Sequence, residues 1–323
     1  MSSSELYAPS EFEVFDVTLP ARQDSPSVVI HGVSSKSSTT ASSKPPLLLL
    51  HGHPQTHHIW HKVAPALSKS FHLVIPDLRG YGASSKPMES DPEHKLYSKR
   101  EMGEDQVALM KHFGFDKFYV VSHDRGARVA HRLALDHPEL VLKLVILDIA
   151  PTLAMYEKTD QRFASYYWHW FFLIQPSPLP EEFIMRSPDT YMRRAIRAPT
   201  SSTAASESPF APAAVEFYMA NASSPEGVHG MCEDYRASAP GGIDLRLDAA
   251  DREAGRKIAC PVLVLWGGRG VIELCFDALA EWNAVSEKAV VGKALPTGHY
   301  IPEEMDSAEL VKEITQFIGA HQE

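Results

Sequence analysis

The stretch Tyr119-Val120-Val121-Ser122-His123-Asp124-Arg125-Gly126-Ala127-Arg128 constrains the fold more than any other part of the chain. An apolar strand runs into a small-x-Asp-x-small turn and straight on into a helical pattern. Such a strained strand-to-helix turn lifts one side chain above the edge of a sheet, where a reacting group can reach it. Serine is the usual residue at that position, and here it is Asp124. A carboxylate is already an anion at neutral pH and needs no base to activate it. It suits displacement at a saturated carbon, through an alkyl ester that water later removes. The plainer alternative is a solvated Asp in a turn after a strand.

The surrounding pattern alternates strands and helices. Glu11–Thr18 and Ser27–Val33 read as paired strands by their alternation, and the polar low-complexity run 34–45 as a flexible loop. Pro46–Leu50, His72–Pro76, Phe118–Val121, Leu144–Leu147 and Val262–Trp266 are short apolar runs of the kind buried on both faces of a parallel sheet, and Lys288–Val291 is expected to be the last strand. Helices are expected at 99–113, with Ser98 as N-cap and Gly114 as stop, and at 126–136 and 306–318. Between Pro151 and Pro261 the strand rhythm disappears. Aromatic residues at helical spacing replace it, broken by a Ser/Ala/Pro stretch at 199–213. These features predict an α/β architecture: a mostly parallel sheet covered on both faces, in two core segments (1–151 and 259–323), with an inserted helical cap (152–258) that excludes water and shapes a pocket.

Bulk properties narrow the partners. A length of 323 residues, 44% of them hydrophobic, allows one large domain with an insertion. The formal net charge of −10 and the lack of a basic tract argue against nucleic acid, though not against a small anionic substrate. Three widely spaced cysteines (Cys232, Cys260, Cys275) do not form a disulfide framework. The N-terminus lacks signal-peptide regions, no apolar run is long enough for a bilayer, and His321-Gln322-Glu323 matches no targeting signal. A soluble, cytoplasmic protein without membrane association is the expectation.

Several residues stand out for chemistry. His51-Gly52-His53-Pro54 follows the Leu47–Leu50 strand, and the backbone amides of His53 and Arg125 are the expected oxyanion hole. Arg125 and Arg128 lie one turn apart at a helix start, where the dipole disfavours cations, so they suggest a clamp for a substrate carboxylate. Pairing of Arg128 with a core carboxylate is the structural alternative. His299, in Pro296-Thr297-Gly298-His299-Tyr300 between the last strand and last helix, is the expected base. Trp266-Gly267-Gly268-Arg269-Gly270-Val271 offers no carboxylate to orient it, which leaves Asp148, at the end of Leu144–Leu147, as the acid unless it merely caps the turn before Pro151. Five histidines crowd one span (His51, His53, His57, His58, His61). His57 and His61 are one turn apart, but no neighbouring Asp, Glu or Cys in sequence completes a metal site, so none is assigned.

Over nearly its whole length the chain resembles the fluoroacetate (haloacetate) dehalogenases of the α/β-hydrolase superfamily. The resemblance rests on His51-Gly52-His53-Pro54-Gln55-Thr56, Asp77-Leu78-Arg79-Gly80-Tyr81-Gly82, Ser122 to Arg128, Leu147-Asp148-Ile149, Trp168-His169-Trp170, Asp234-Tyr235-Arg236 and Gly298-His299. It implies an α/β-hydrolase fold with a mostly parallel eight-stranded sheet. It also implies Asp124 as nucleophile, Asp148 and His299 as acid and base, Arg125 and Arg128 on the substrate carboxylate, and His169, Trp170 and Tyr235 on the departing halide. No cofactor or metal is implied, and a homodimer is implied by the resemblance alone. The chain departs from the family at the 34–45 and 199–213 stretches and at His53, where the family often has an aromatic residue. The resulting expectation is hydrolysis of small 2-haloacids, fluoroacetate included, to 2-hydroxy acids. The alternatives are an epoxide hydrolase using the same Asp, or a ligand-binding or biosynthetic protein that kept the fold. A haloalkane dehalogenase, which typically has Trp directly after the nucleophile, fits less well because Arg125 stands there.

Overall fold

The computed structural model describes residues 6–36, 44–89, 91–196 and 208–319. Eight strands form one sheet: β1 (Phe12–Leu19), β2 (Val28–Ser35), β3 (Pro46–Leu50), β4 (His72–Pro76), β5 (Phe118–His123), β6 (Val141–Leu147), β7 (Val262–Gly267) and β8 (Val291–Leu295). Their spatial order is β1-β2-β4-β3-β5-β6-β7-β8. β2 pairs antiparallel with β1 and β4, and every later pairing is parallel.

The alternation within each central strand explains the layering. Leu48, Leu50, Val120, Leu144, Ile146, Val262 and Val264 enter one core, while Leu47, Leu49, Val121, Val145, Leu147, Leu263 and Leu265 enter the other. Side chains of a strand point alternately to opposite faces, so runs apolar at every position must be covered on both sides. The helix Lys99–His112 begins at Ser98, whose side chain accepts from the Glu101 amide, and ends before Gly114 at φ +83°.

Several boundaries differ from the sequence expectation. β2 continues through Ser34 and Ser35, which pair with Glu13 and Phe12, so the loop begins later than residue 34. Residues 37–43 of that loop, and 199–207 of the Ser/Ala/Pro stretch, lie outside the described residues, and the end of the latter stretch starts the helix Pro212–Ala222. The last strand is Val291–Leu295 rather than Lys288–Val291. The Val290 amide donates to the Asn283 side chain at 2.9 Å instead of to β7, and pairing starts only at Val291. This edge strand is largely exposed, so its apolar run did not mark it.

Between β6 and β7 the described residues hold eight helices and no strand. A polar seam ties this insert to the sheet domain. Glu303, in the short helix Ile301–Glu304, accepts from the Gln55 side chain and from the Tyr218 hydroxyl of the helix Pro212–Ala222. Lys62 donates to the carbonyls of Pro209 (2.6 Å) and Glu303 (2.7 Å). Burial pushes the Glu303 carboxyl up to about 8 against the opposing charge of Lys62. Its folded pKa thus lies above its ordinary value of 4.5. As pH rises from 4.5 towards 8, the unfolded chain gives up a proton that the folded chain keeps, so stability falls across that window. Glu303→Gln is expected to flatten this dependence and to gain on the order of a few kcal/mol relative to wild type near pH 8, as denaturant unfolding at several pH values would measure.

Candidate active site

The parallel strands end on one edge of the sheet, the edge where open α/β sheets hold ligands. β3 delivers His51, Gly52 and His53, β5 delivers Asp124, β6 delivers Asp148, β7 delivers Gly267, and the turn after β8 delivers His299. Asp124 and Asp148 have φ of +48° and +53°. Left-handed backbone is unfavourable for residues with a Cβ and persists where the surroundings enforce it. Close packing enforces it at Asp124: a Cβ on Gly52 would lie 2.4 Å from the Asp124 Cβ, and one on Gly126 would lie 2.3 Å from the His51 carbonyl oxygen. Glycine is required at both positions for the turn to sit this close to the loop after β3.

Asp124, Asp148 and His299 meet. His299 Nδ1 is 2.5 Å from Asp148 Oδ2, and His299 Nε2 is 3.8 Å from Asp124 Oδ2. The Gly267 amide donates to Asp148 Oδ1 at 2.7 Å, so β7 positions the Asp148 carboxylate although it carries none itself. The His53 amide donates to Asp124 Oδ1 at 2.8 Å. That hydrogen bond distinguishes the two oxygens: Oδ1 is held by the amide, and Oδ2 faces the imidazole. Burial opposes ionisation of Asp124, but His299, His123, Arg128 and Arg125 outweigh it and hold the carboxyl below its ordinary range. Asp148 moves the opposite way, raised by burial despite its bond to His299.

The two arginines have different surroundings. Arg125 makes a fork-to-fork pair with Asp234 (Nε–Oδ2 2.9 Å, Nη2–Oδ1 2.9 Å) and also donates to the Asp234 carbonyl and Ser238. Its guanidinium lies 4.1 Å from the centroid of the Tyr235 ring. Arg128 donates to Thr152 Oγ1 at 2.8 Å and to the Ala150 carbonyl at 3.3 Å, while its buried Nε has no partner. Its guanidinium lies 4.6 Å from the centroid of the Trp170 ring. Among the described residues no carboxylate forms an ion pair with Arg128, so the structural alternative of a core carboxylate partner applies to Arg125 instead. Burial, reinforced by Arg125, lowers the Arg128 pKa.

His169, Trp170 and Tyr235 cluster beside this pair. The Tyr235 ring lies 5.9 Å from that of His169 and 6.3 Å from that of Trp170. Trp170 Nε1 and the Tyr235 hydroxyl are buried without a hydrogen-bond partner. Buried donors are almost always satisfied, so two together mark a place for an acceptor. His53 adds a third imidazole: its Nε2 is 2.9 Å from the Tyr191 hydroxyl, its ring stacks on His169 at 6.0 Å, and burial lowers its pKa to about 4. A narrow cavity of about 30 Å³ is lined by Asp124, His53, His169, His299, Tyr166 and Arg194 among others, while Arg128, Trp170 and Tyr235 do not line it.

Sequence reasoning missed Asp234, which also receives Lys99 and, at 2.6 Å, the Tyr81 hydroxyl. It precedes Tyr235 in a stretch already noted, but its partner is 109 residues away and no local pattern announces that. His123 was missed as well. Its Nε2 bonds the His299 carbonyl oxygen at 2.9 Å, and burial drives its pKa to about 3, so it holds the His299 turn as a neutral ring.

The asymmetry between the arginines has a measurable consequence. Arg125→Met leaves Asp234 a buried carboxylate short of its main partner and is expected to destabilise the protein by roughly 3–5 kcal/mol. Arg128→Met removes a buried cation that pairs with no carboxylate, and is expected to unfold no lower than wild type. Thermal unfolding of both variants without substrate checks the difference.

The model for the α/β hydrolase fold matches residues 45–304. A fluoroacetate dehalogenase from Burkholderia sp is 43% identical over 273 residues, 84% of this chain and 87% of the relative. A soluble epoxide hydrolase from Corynebacterium sp. (strain C12) is 33% identical over 270 residues, 82% and 87% of the two chains. A provisionally assigned α/β hydrolase from Nostoc sp PCC 7120 superposes with a TM-score of 0.83 at 46% identity, covering 95% of this chain and 98% of its own. The chain is therefore a hydrolase of the α/β-hydrolase superfamily and belongs, within it, to the fluoroacetate (haloacetate) dehalogenase family.

Proposed function

We propose that the protein hydrolyses small 2-haloacids, haloacetates among them, to 2-hydroxy acids through an ester on Asp124. The observation that carries this reading is the pair of buried, unsatisfied donors, Trp170 Nε1 and the Tyr235 hydroxyl, next to an ionised carboxylate and a cation without a carboxylate partner. The substrate carboxylate docks on Arg128, with Arg125 beside it. Asp124 Oδ2 attacks the halogen-bearing carbon in line, the carbon–halogen electron pair leaves with the halide, and His169, Trp170 and Tyr235 receive the developing anion. Donor groups matter most for fluoride, a small and strongly hydrated leaving group.

Hydrolysis follows. His299, oriented by Asp148, takes a proton from water, and the hydroxide adds to Cγ of Asp124. Oδ1, already bonded to the His53 amide, becomes the oxyanion, with the Arg125 amide as second donor. Collapse breaks the bond between the ester oxygen and Cγ, the 2-hydroxy acid leaves with the proton from His299, and the carboxylic acid so formed on Asp124 gives up its remaining proton to solvent and returns as the carboxylate. The helical insert 152–258 acts as the cap that keeps bulk water away. No cofactor or metal takes part in this scheme, and a homodimer working in the cytoplasm is the assembly and setting it assumes.

The test is halide release from fluoroacetate and chloroacetate by wild type, Asp124→Asn and His299→Asn, with intact mass after mixing. Wild type is expected to release halide, Asp124→Asn none, and His299→Asn to gain one carboxymethyl ester on Asp124. Release from chloroacetate alone keeps the mechanism and removes the fluoride pocket. No release from either rejects the haloacid reading. Epoxide hydrolysis then takes its place, supported by the Tyr235 hydroxyl, which burial keeps protonated and able to donate to an epoxide oxygen.

The depressed Asp124 pKa makes a further prediction. The nucleophile stays ionised well below the ordinary carboxylate value of about 3.9. Ester formation, read as the first-turnover halide burst of the wild-type protein in rapid mixing, is therefore expected to be independent of pH between about 5 and 8. A burst that falls on acidification through this range contradicts the assignment of Asp124 as a free carboxylate nucleophile.

A further inference from the structure

Away from Asp124, a cavity of about 230 Å³ lies where the short turn His57–Trp60 meets the insert helix Pro212–Ala222. Its wall includes His31, His57, His58, Asp77 and Asn221. Four buried polar atoms of these residues have no hydrogen-bond partner: His57 Nε2, His58 Nε2, and Nδ2 and Oδ1 of Asn221. His57, His58 and Asn221 are each no more than 3% exposed. None of them has a task in the proposed reaction.

The hydrogen bonds that do exist fix how the rings face. Asp77 Oδ1 accepts the His57 backbone amide and lies 2.8 Å from His57 Nδ1. An ionised carboxylate only accepts, so Nδ1 carries the proton and Nε2 presents a lone pair. His31 repeats the arrangement on β2: its Nδ1 lies 2.8 Å from Asp16 Oδ1, which leaves its Nε2 as the lone-pair nitrogen. A carboxylate behind each imidazole is the usual support of histidines that bind metals. One donor atom from each of His31, His57 and Asp77 falls within 4.8 Å of the others. Donors of a tetrahedral ion at ~2.0–2.1 Å are about 3.4 Å apart, so small shifts of these side chains towards one another would bring them to a shared ion.

The sequence had suggested His57 with His61 and no supporting acid. His61 instead turns its Nδ1 to the His58 carbonyl oxygen at 2.8 Å, and the chain brings in Asp77 and His31 from other strands. We propose that His31 and His57, oriented by Asp16 and Asp77, bind a divalent transition-metal ion of the zinc class, with Asn221 and His58 facing it across the cavity. Imidazole nitrogens suit zinc, nickel and copper, whereas the absence of clustered carboxylates on this wall disfavours calcium and magnesium. Because Asn221 belongs to the insert and the histidines to the sheet domain, a bound ion would link the two. Buried water is the competing occupant of such a polar cavity.

The test uses full-length, tag-free protein stripped with chelator and titrated with Zn2+ by calorimetry and with Co2+ by visible absorption. One equivalent is expected, with the intense ligand-field bands of low-coordinate cobalt and a rise in melting temperature. His31→Gln is expected to weaken binding at least tenfold, the order found for losing a supporting or ligating group, while its circular dichroism and haloacid turnover match wild type. His299→Asn, altered at the other imidazole–carboxylate cluster, is expected to bind as wild type does. Absence of binding, or binding that His31→Gln leaves unchanged, would overturn the proposal and leave the cavity to water. Loss of binding in His299→Asn but not in His31→Gln would move the ion to the reaction centre and overturn it equally.

Discussion

The buried pair of Arg125 and Asp234 is the interaction on which the site's geometry hangs. Arg125 follows Asp124 directly, and Asp234 sits in the insert helix Pro225–Ala237. Their fork-to-fork contact fixes the insert against the very turn that carries Asp124. Lys99 and Tyr81 converge on the same carboxylate, so the helix after β4 and the loop before it share the anchor. Together they hold Asp234 ionised in spite of its burial. A buried ion pair rarely adds much to stability over an apolar core, but losing one partner is costly. Its value here is positional: Tyr235 follows Asp234 directly on the same helix, so Tyr235 reaches the site with its hydroxyl still unspent.

Around that anchor the structure separates polar groups that are satisfied from polar groups that are not. Asp148 and Asp234 have their capacity used within the protein. Trp170 Nε1, the Tyr235 hydroxyl and Arg128 Nε do not. The first group builds a rigid frame, and the second pre-forms the shape of an anion's surroundings. Unsatisfied buried groups reduce the stability of the empty protein, and a ligand that completes them regains that free energy on binding. The strained φ of Asp124 belongs to the same pattern, because the close packing of the loop after β3 imposes it.

Much of this is legible in the sequence, for physical reasons that differ by element. Strands buried on both faces are apolar at every position, so β3 to β7 announced themselves. β8 did not, because an exposed edge strand has no such pattern. The elbow was legible because its turn demands small residues at fixed offsets from Asp124. Asp148 was reached by noticing that β7 lacks an acid, and the Gly267 amide shows how β7 serves the acid without supplying it. What stayed hidden was pairing at long range. Nothing near Arg125 names Asp234, and nothing near His57 names Asp77 or His31, because such contacts arise from topology rather than from spacing.

The unequal roles of the two arginines bear on how such proteins change substrate over evolutionary time. Arg125 is tied into the frame, so its replacement costs the fold whatever the protein acts on. Arg128 is held by Thr152, the Ala150 carbonyl and the Met155 sulfur, and in the proposed reaction it contributes the charge that selects an acid over a neutral molecule. A lineage can therefore drift between anionic and uncharged electrophiles by changing Arg128 while the elbow, the base and the insert stay in place. Kinship with both a dehalogenase and an epoxide hydrolase is what such a single exchangeable charge would leave behind.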